Sequence, residues 1–184
     1  MQMTNDQMGK LVAPATIVLE RLLPGPIEKV WAYLTESELR KTWIAAGDMD
    51  LQVGGKVELI FDHRNLTEEE EVIPEKYKDT CGSVMTMEAR ILAVDPPRLL
   101  SYTWPEGEGE ETDVTFELEE VGDKVKLTLT HRKLFDEEMR YGVAAGWHAH
   151  VAIMIDILEG KKPRAFWSTH MPLEDAYRAK LSGL

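Results

Sequence analysis

Phe135-Asp-Glu-Glu-Met-Arg-Tyr-Gly-Val-Ala-Ala-Gly-Trp-His-Ala-His-Val-Ala-Ile-Met-Ile-Asp-Ile-Leu-Glu-Gly160 shows most plainly how this chain is built. It contains no proline, opens with Asp136, Glu137 and Glu138, and is followed by Lys161, Lys162 and Pro163. Acid in a first turn and glycine with base at the end suit the dipole and the caps of one helix. On a helical wheel Met139, Val143, Gly146, Trp147, His150, Met154, Ile157 and Leu158 share a face, while His148 and Asp156 fall well outside it. A helix of roughly 23 residues is about 35 Å long. It needs a broad apolar surface to lie on.

The preceding chain supplies such a surface as strands. Ala15–Leu23 is rich in β-formers and stops at Pro24-Gly-Pro26. Pro26 then opens a short helix with Ile27, Val30, Trp31 and Leu34 at helical spacing. Thr35 or Ser37 is placed to cap a second, with Glu38 reaching back as in a capping box. That helix carries Leu39 and ends near Trp43; Trp31 and Trp43 read most economically as core. After Gly54-Gly55, residues 56–63 alternate, with Val57, Leu59 and Phe61 on one side. Residues 64–80 hold Glu68–Glu71 and several lysines with little apolar period, and read as a long, charged, mobile connection. Alternation returns with Met85, Met87, Ala89 and Ile91, then Leu100, Tyr102 and Trp104, then Val114, Phe116 and Leu118, then Val125, Leu127, Leu129 and His131. Breaks fall at Asp95-Pro-Pro97, at 105–111 and at the hairpin signal Gly122-Asp123. A short amphipathic helix with Leu173, Tyr177 and Leu181 ends the chain.

Strands grouped apart from helices predict an α+β fold: a curved antiparallel sheet wrapped around the long C-terminal helix, with two short helices after the first strand. Residues 1–14 read as a flexible tail and 15–184 as a single domain.

A formal net charge of -12 disfavours phosphate backbones and anionic lipid surfaces. Cys81 is the single cysteine, so no intrachain disulfide forms, which suits a cytoplasmic location. No signal-peptide core opens the chain, and no run approaches the length of a membrane span.

Val18-Leu-Glu-Arg-Leu-Leu-Pro-Gly-Pro-Ile-Glu-Lys-Val-Trp-Ala-Tyr-Leu-Thr35 and Leu39-Arg-Lys-Thr-Trp43 resemble the opening of START-like (SRPBCC) domains. Val53-Gly-Gly-Lys56, Asp95-Pro-Pro-Arg-Leu99, Tyr102-Thr-Trp104 and Gly146-Trp147 fit the branch related to the activator of the ninety-kilodalton heat-shock protein's ATPase. The match runs over roughly residues 15–160. It implies a helix-grip fold, often around a deep apolar cavity that takes lipids, polyketides or other hydrophobic small molecules. Some related branches are cyclases, and the namesake branch touches a chaperone; fold alone does not settle function.

Such a cavity would be lined by Trp43, Phe61, Met85, Met87, Tyr102, Trp104, Phe116, Trp147, His150 and Met154. Periodicity does not distinguish a cavity from a solid core of the same residues. His150 sets an imidazole on an apolar face, either to hydrogen-bond a ligand or to pair with Tyr102 or a neighbouring hydroxyl near the inward His131. His148 and His150 lack the spacing of a metal pair. No nucleophile elbow, phosphate-cradling loop or cofactor motif occurs, so no catalytic residue, metal or cofactor is assigned. The expected partner is a small hydrophobic molecule, or alternatively a chaperone or other protein meeting the acidic surface, with the chain monomeric or homodimeric. A cyclase or hydrolase using His150, Tyr102 and Arg132 is the third reading. The segment 64–80 is the candidate lid.

Overall fold

The computed structural model describes residues 3–105 and 111–183. The α+β helix-grip architecture expected from the pattern is present. Seven strands form one antiparallel sheet, β1 (Lys10–Ala13), β2 (Thr16–Pro24), β3 (Lys56–Phe61), β4 (Met85–Asp95), β5 (Leu99–Trp104), β6 (Thr112–Val121) and β7 (Lys124–Arg132). Their order is β1-β2-β7-β6-β5-β4-β3. The 105–111 turn falls largely outside the described residues.

Strand β4 does two jobs. Its first half, Met85–Arg90, pairs with β3, and after an irregularity between Ile91 and Ala93 its second half pairs with β5. A bulge bends a strand and raises its local twist, so the sheet turns its β3 end inward. The β6–β7 hairpin closes through Gly122, at φ +63°, which a residue with a side chain adopts rarely.

The two short helices α1 (Ile27–Thr35) and α2 (Ser37–Arg40) follow β2 as expected. The capping box does not form: the Thr35 hydroxyl donates to the Trp31 carbonyl, Ser37 Oγ accepts from the Gly47 amide, and Glu38 pairs with Lys41. Buried Arg40 fixes the chain beyond them, donating to the carbonyls of Ala45, Ala46, Gly47 and Glu58. Five donors on one planar guanidinium can serve several carbonyls at once, and so tie the 45–47 loop to Glu58 of β3.

Beyond the one-turn helix α3 (Lys78–Cys81), helix α4 (Glu137–Leu158) lies against β2, with Asp136 accepting from the Met139 amide as N-cap. By length and composition α4 could cross a membrane, but 78% of its most apolar 18-residue window is buried within the fold. His148 and Asp156, off the sheet-facing side, are buried too, which the helical wheel alone did not indicate. The cause is α5 (Phe166–Leu181), which packs along α4 over Tyr141, Ala144 and Ala145. His148 Nδ1 meets the Tyr177 hydroxyl at 3.0 Å, and Asp156 takes a bidentate Arg164. Small residues on the back of α4 let the second helix approach closely.

The N-terminal residues join this layer. Within the segment read as a tail, β1 pairs with β2, the Asn5 side chain bonds both backbone groups of Leu22, and the Gly9 amide donates to Tyr177 Oη.

Candidate functional site

Between the N-terminal half of α4, the C-terminal end of β5, α5 and the segment after β3 lies a cavity of about 350 Å³, partly open to solvent. That volume falls in the range of small-molecule pockets. Its floor is α4. Met139, Gly142, Val143, Gly146, Trp147 and His150 face it at spacings of three and four residues. A Cβ built on Gly146 would meet nothing within 4 Å, and one on Gly142 would come within 3.4 Å of Tyr77 Oη alone. Glycine inside a helix costs about 1 kcal/mol relative to alanine. Here two glycines one turn apart leave out the side chains that would otherwise fill the space.

Aromatic rings make the walls. Trp104 and Trp147 stand 4.9 Å apart by centroids, and Phe166 packs edge-on against Trp167 at 4.8 Å. A directional chain of hydrogen bonds ties the Trp147 indole to the backbone of Trp104. Trp147 Nε1–H donates to His131 Nδ1 at 2.8 Å, so the proton of neutral His131 sits on Nε2. That nitrogen donates to Thr112 Oγ1 at 2.7 Å, and the hydroxyl donates to the Trp104 carbonyl at 2.8 Å. Burial pushes the His131 pKa down to about 3, only partly offset by Asp113, so the ring stays neutral and the chain keeps one direction.

His150 finds a partner other than the expected Tyr102 or hydroxyl. Its Nδ1 lies 2.7 Å from the Trp43 carbonyl. A carbonyl only accepts, so Nδ1 carries the proton and Nε2 is an acceptor on a ring that lines the cavity. Burial lowers its pKa to about 3, with His63 adding to the fall. His63 stacks on Trp167 at 5.3 Å and stands 6.0 Å from His150; burial lowers it to about 4. Both rings are uncharged near neutral pH.

The connection between β3 and β4, expected to be mobile and to lack structure, contains short helical turns and two ties to α5. Glu71 accepts from the Trp167 and Ser168 amides and from the Ser168 hydroxyl, which caps the α5 N-terminus. About two turns along, Lys76 and the Tyr77 hydroxyl both donate to the buried carboxylate of Glu174, and His170 Nε2 lies 3.2 Å from it. Burial alone would raise the Glu174 pKa, but the Lys76 and Tyr77 hydrogen bonds outweigh it and hold the group ionised. A charged run that looked merely solvated thus anchors one wall: Lys76, Tyr77 and Cys81 all line the cavity.

Of the ten residues singled out from sequence, Trp104, Trp147 and His150 come together on this cavity. Trp43, Phe61, Tyr102, Phe116 and Met154 are buried in the continuous core, and Met85 and Met87 pack half-buried at its edge. Seven inward positions therefore pack against their neighbours, and the empty space lies toward one end of α4. Sequence reasoning missed His63, Tyr77, Phe166, Trp167 and His170: His63 ends the alternating stretch after Gly55, Tyr77 lies in the charged connection, and the other three open the C-terminal helix. Gly142 and Gly146, glycines at i, i+4 inside a proline-free helix, were the readable signal. Among the described residues, no group of three or more His, Cys, Asp or Glu side chains could hold a metal ion.

Sheet, gripped helix and end-on cavity together define a START-like protein of the helix-grip class. The family model of activator of Hsp90 ATPase homolog 1-like proteins matches residues 24–159, and the chain belongs to that family. Among solved structures, it is 39% identical to the protein encoded by gene BPP1335 of Bordetella parapertussis, with a TM-score of 0.81 over 96% of this chain and 91% of that one. CalU16 from Micromonospora echinospora is similar in fold, at 20% identity and a TM-score of 0.68, with 96% of each chain covered. DynU16, a protein of the dynemicin biosynthetic locus, shares the fold at 18% identity and a TM-score of 0.61, over 81% of this chain and 49% of that one. A search of curated proteins finds no match.

Proposed function

We propose that this protein binds a small hydrophobic molecule in the cavity between α4, α5 and the sheet. The observation that carries the reading is the space beside Gly146, walled by the rings of Trp104, Trp147, Phe166 and Trp167. Trp104, Trp147 and His150 are the contacts foreseen from sequence; Phe166, Trp167 and His63 complete them. The segment 64–80 serves as the lid, latched to α5 through Glu71 and Glu174. DynU16, from a biosynthetic locus, is a protein of the same fold in a small-molecule setting. Burial shifts His63 to about 4 and His150 to about 3, which makes both poor bases at neutral pH and favours binding over acid–base catalysis.

Native mass spectrometry of freshly purified protein beside a denatured control tests this. A retained small molecule supports the reading; a clean apo mass, together with no stabilisation by any apolar aromatic probe, sinks it.

A second reading follows from the family, whose name refers to a chaperone ATPase, and from the net charge of -12. The acidic surface would then contact a basic partner protein, and the complex would weaken as salt rises. A partner captured independently of salt would count against it.

A further inference from the structure

The polar atoms of the cavity restrict what it can hold, if it holds a ligand as proposed above. The two charged residues in the described lining already have partners: Lys76 is bonded to Glu174, and Glu138 to Arg178. Among the described lining residues an anionic ligand would meet no free cation, and a cationic one no free carboxylate. Apolar rings dominate what remains, so a charged group entering the site would lose its hydration without replacement.

Three imidazoles break that apolar surface; His170 turns Nε2 to the Glu174 carboxylate at 3.2 Å, and His150 and His63 stand together. His150 is locked by the Trp43 carbonyl into the tautomer whose Nε2 accepts. A neutral His63, 6.0 Å away by centroids, carries one N–H and one acceptor nitrogen. Nothing in a pure hydrocarbon satisfies Nε2. A group that donates to His150 and accepts from His63 satisfies both, and a hydroxyl does this with one atom. Flanking it, Trp104, Trp147, Phe166 and Trp167 offer ring faces and edges to a flat partner.

We propose that the ligand is an uncharged, planar aromatic alcohol of the phenol or naphthol type, whose hydroxyl donates to His150 Nε2. This deepens the binding reading and depends on it. Carboxylated analogues are excluded by the absence of an unpaired cation, and ethers bind less well because they cannot donate.

The test is isothermal titration of the purified protein at pH 7.5 with 2-naphthol, 2-methoxynaphthalene and 2-naphthoate. One hydrogen bond to a buried acceptor left otherwise unpaired corresponds to about a tenfold preference for naphthol over its methyl ether. The carboxylate is expected to bind more weakly than either. His150→Phe, which keeps a ring and removes Nε2, is expected to erase the tenfold preference while ether binding persists. The wild-type selectivity decides the matter even if that variant does not fold. Equal affinity for naphthol and ether overturns the hydroxyl assignment and leaves a binding cavity. Tightest binding of naphthoate overturns the claim of an uncharged ligand. Failure of all three probes removes the binding reading itself.

Discussion

Substituting Gly146 by alanine tests the cavity without any ligand. At an interior helix position alanine is favoured over glycine by about 1 kcal/mol, partly because the unfolded chain loses freedom. In a packed core that gain would be cancelled by overpacking, which costs roughly 1–3 kcal/mol. Here the new Cβ meets nothing within 4 Å, so no such cost arises. Gly146→Ala is therefore expected to stabilise the fold by about 1 kcal/mol, raising Tm by about 2–4 °C for a chain of this size. Gly142→Ala is the internal control: its Cβ would sit 3.4 Å from Tyr77 Oη, which must give slightly, so its gain should be smaller. Urea and thermal unfolding followed by circular dichroism measure both. Gly146→Leu, which projects a full side chain into the same space, should fold as well as wild type and no longer bind a naphthalene probe. If Gly146→Ala lost 1 kcal/mol or more, the space beside α4 would be filled in solution and the cavity would be no binding site.

Trp147→Phe should cost about 2–4 kcal/mol in urea denaturation, since it leaves a void and strips buried His131 Nδ1 of its donor; a loss under 1 kcal/mol would show that the hydrogen-bonded chain is not holding the wall. Stability should also fall on mild acidification. His131 and His150 have folded pKa values of about 3, below the ordinary value near 6.5, so the unfolded state binds their protons first. Their contribution is complete above about pH 6.5 and is lost progressively down to about pH 3. Between pH 7.5 and 5.5 the two groups together account for about 3 kcal/mol, and an unchanged urea midpoint over that interval would refute their neutrality. Glu174→Ala removes the acceptor shared by Lys76 and Tyr77; release of a bound naphthalene probe in stopped-flow should quicken by about tenfold. An unchanged release rate would mean that residues 64–80 are no lid.

The sheet was legible because its strands are half-buried, and a half-buried strand writes a period of two into the sequence. Val57, Leu59 and Phe61 are buried while Glu58 and Ile60 are less so, as the alternation required. Helix α4 was legible in extent but not in burial. A wheel reports which side is most apolar, and Ala144, Ala145, Ala149 and Ala152 are neutral by that measure. They are also small, which is what a second helix needs in order to pack close. The role of residues 64–80 was illegible for a different reason. Glu71 and Glu174 act through single hydrogen-bond acceptors on partners about a hundred residues away, and no local pattern encodes such pairings.

The cavity is the instructive case. Alternation identified Phe61, Tyr102 and Phe116 as inward, the helical wheel did so for Met154, and each is buried. Inward residues fill space wherever they meet their equals, so they could not also mark where space remains. What leaves space is a missing side chain, and what preserves it is a wall unable to relax inward. Gly142 and Gly146 supply the first. For the second, Trp147 follows directly after the gap and would be the ring best placed to swing into it. Its indole N–H is committed to His131, which is committed to Thr112 and through it to the backbone of Trp104. Collapse would strand the buried His131 Nδ1 and the Trp147 indole N–H at about 1–3 kcal/mol each. The polar buttress behind Trp147 therefore sets a cost of a few kcal/mol against closing the apolar cavity on that side.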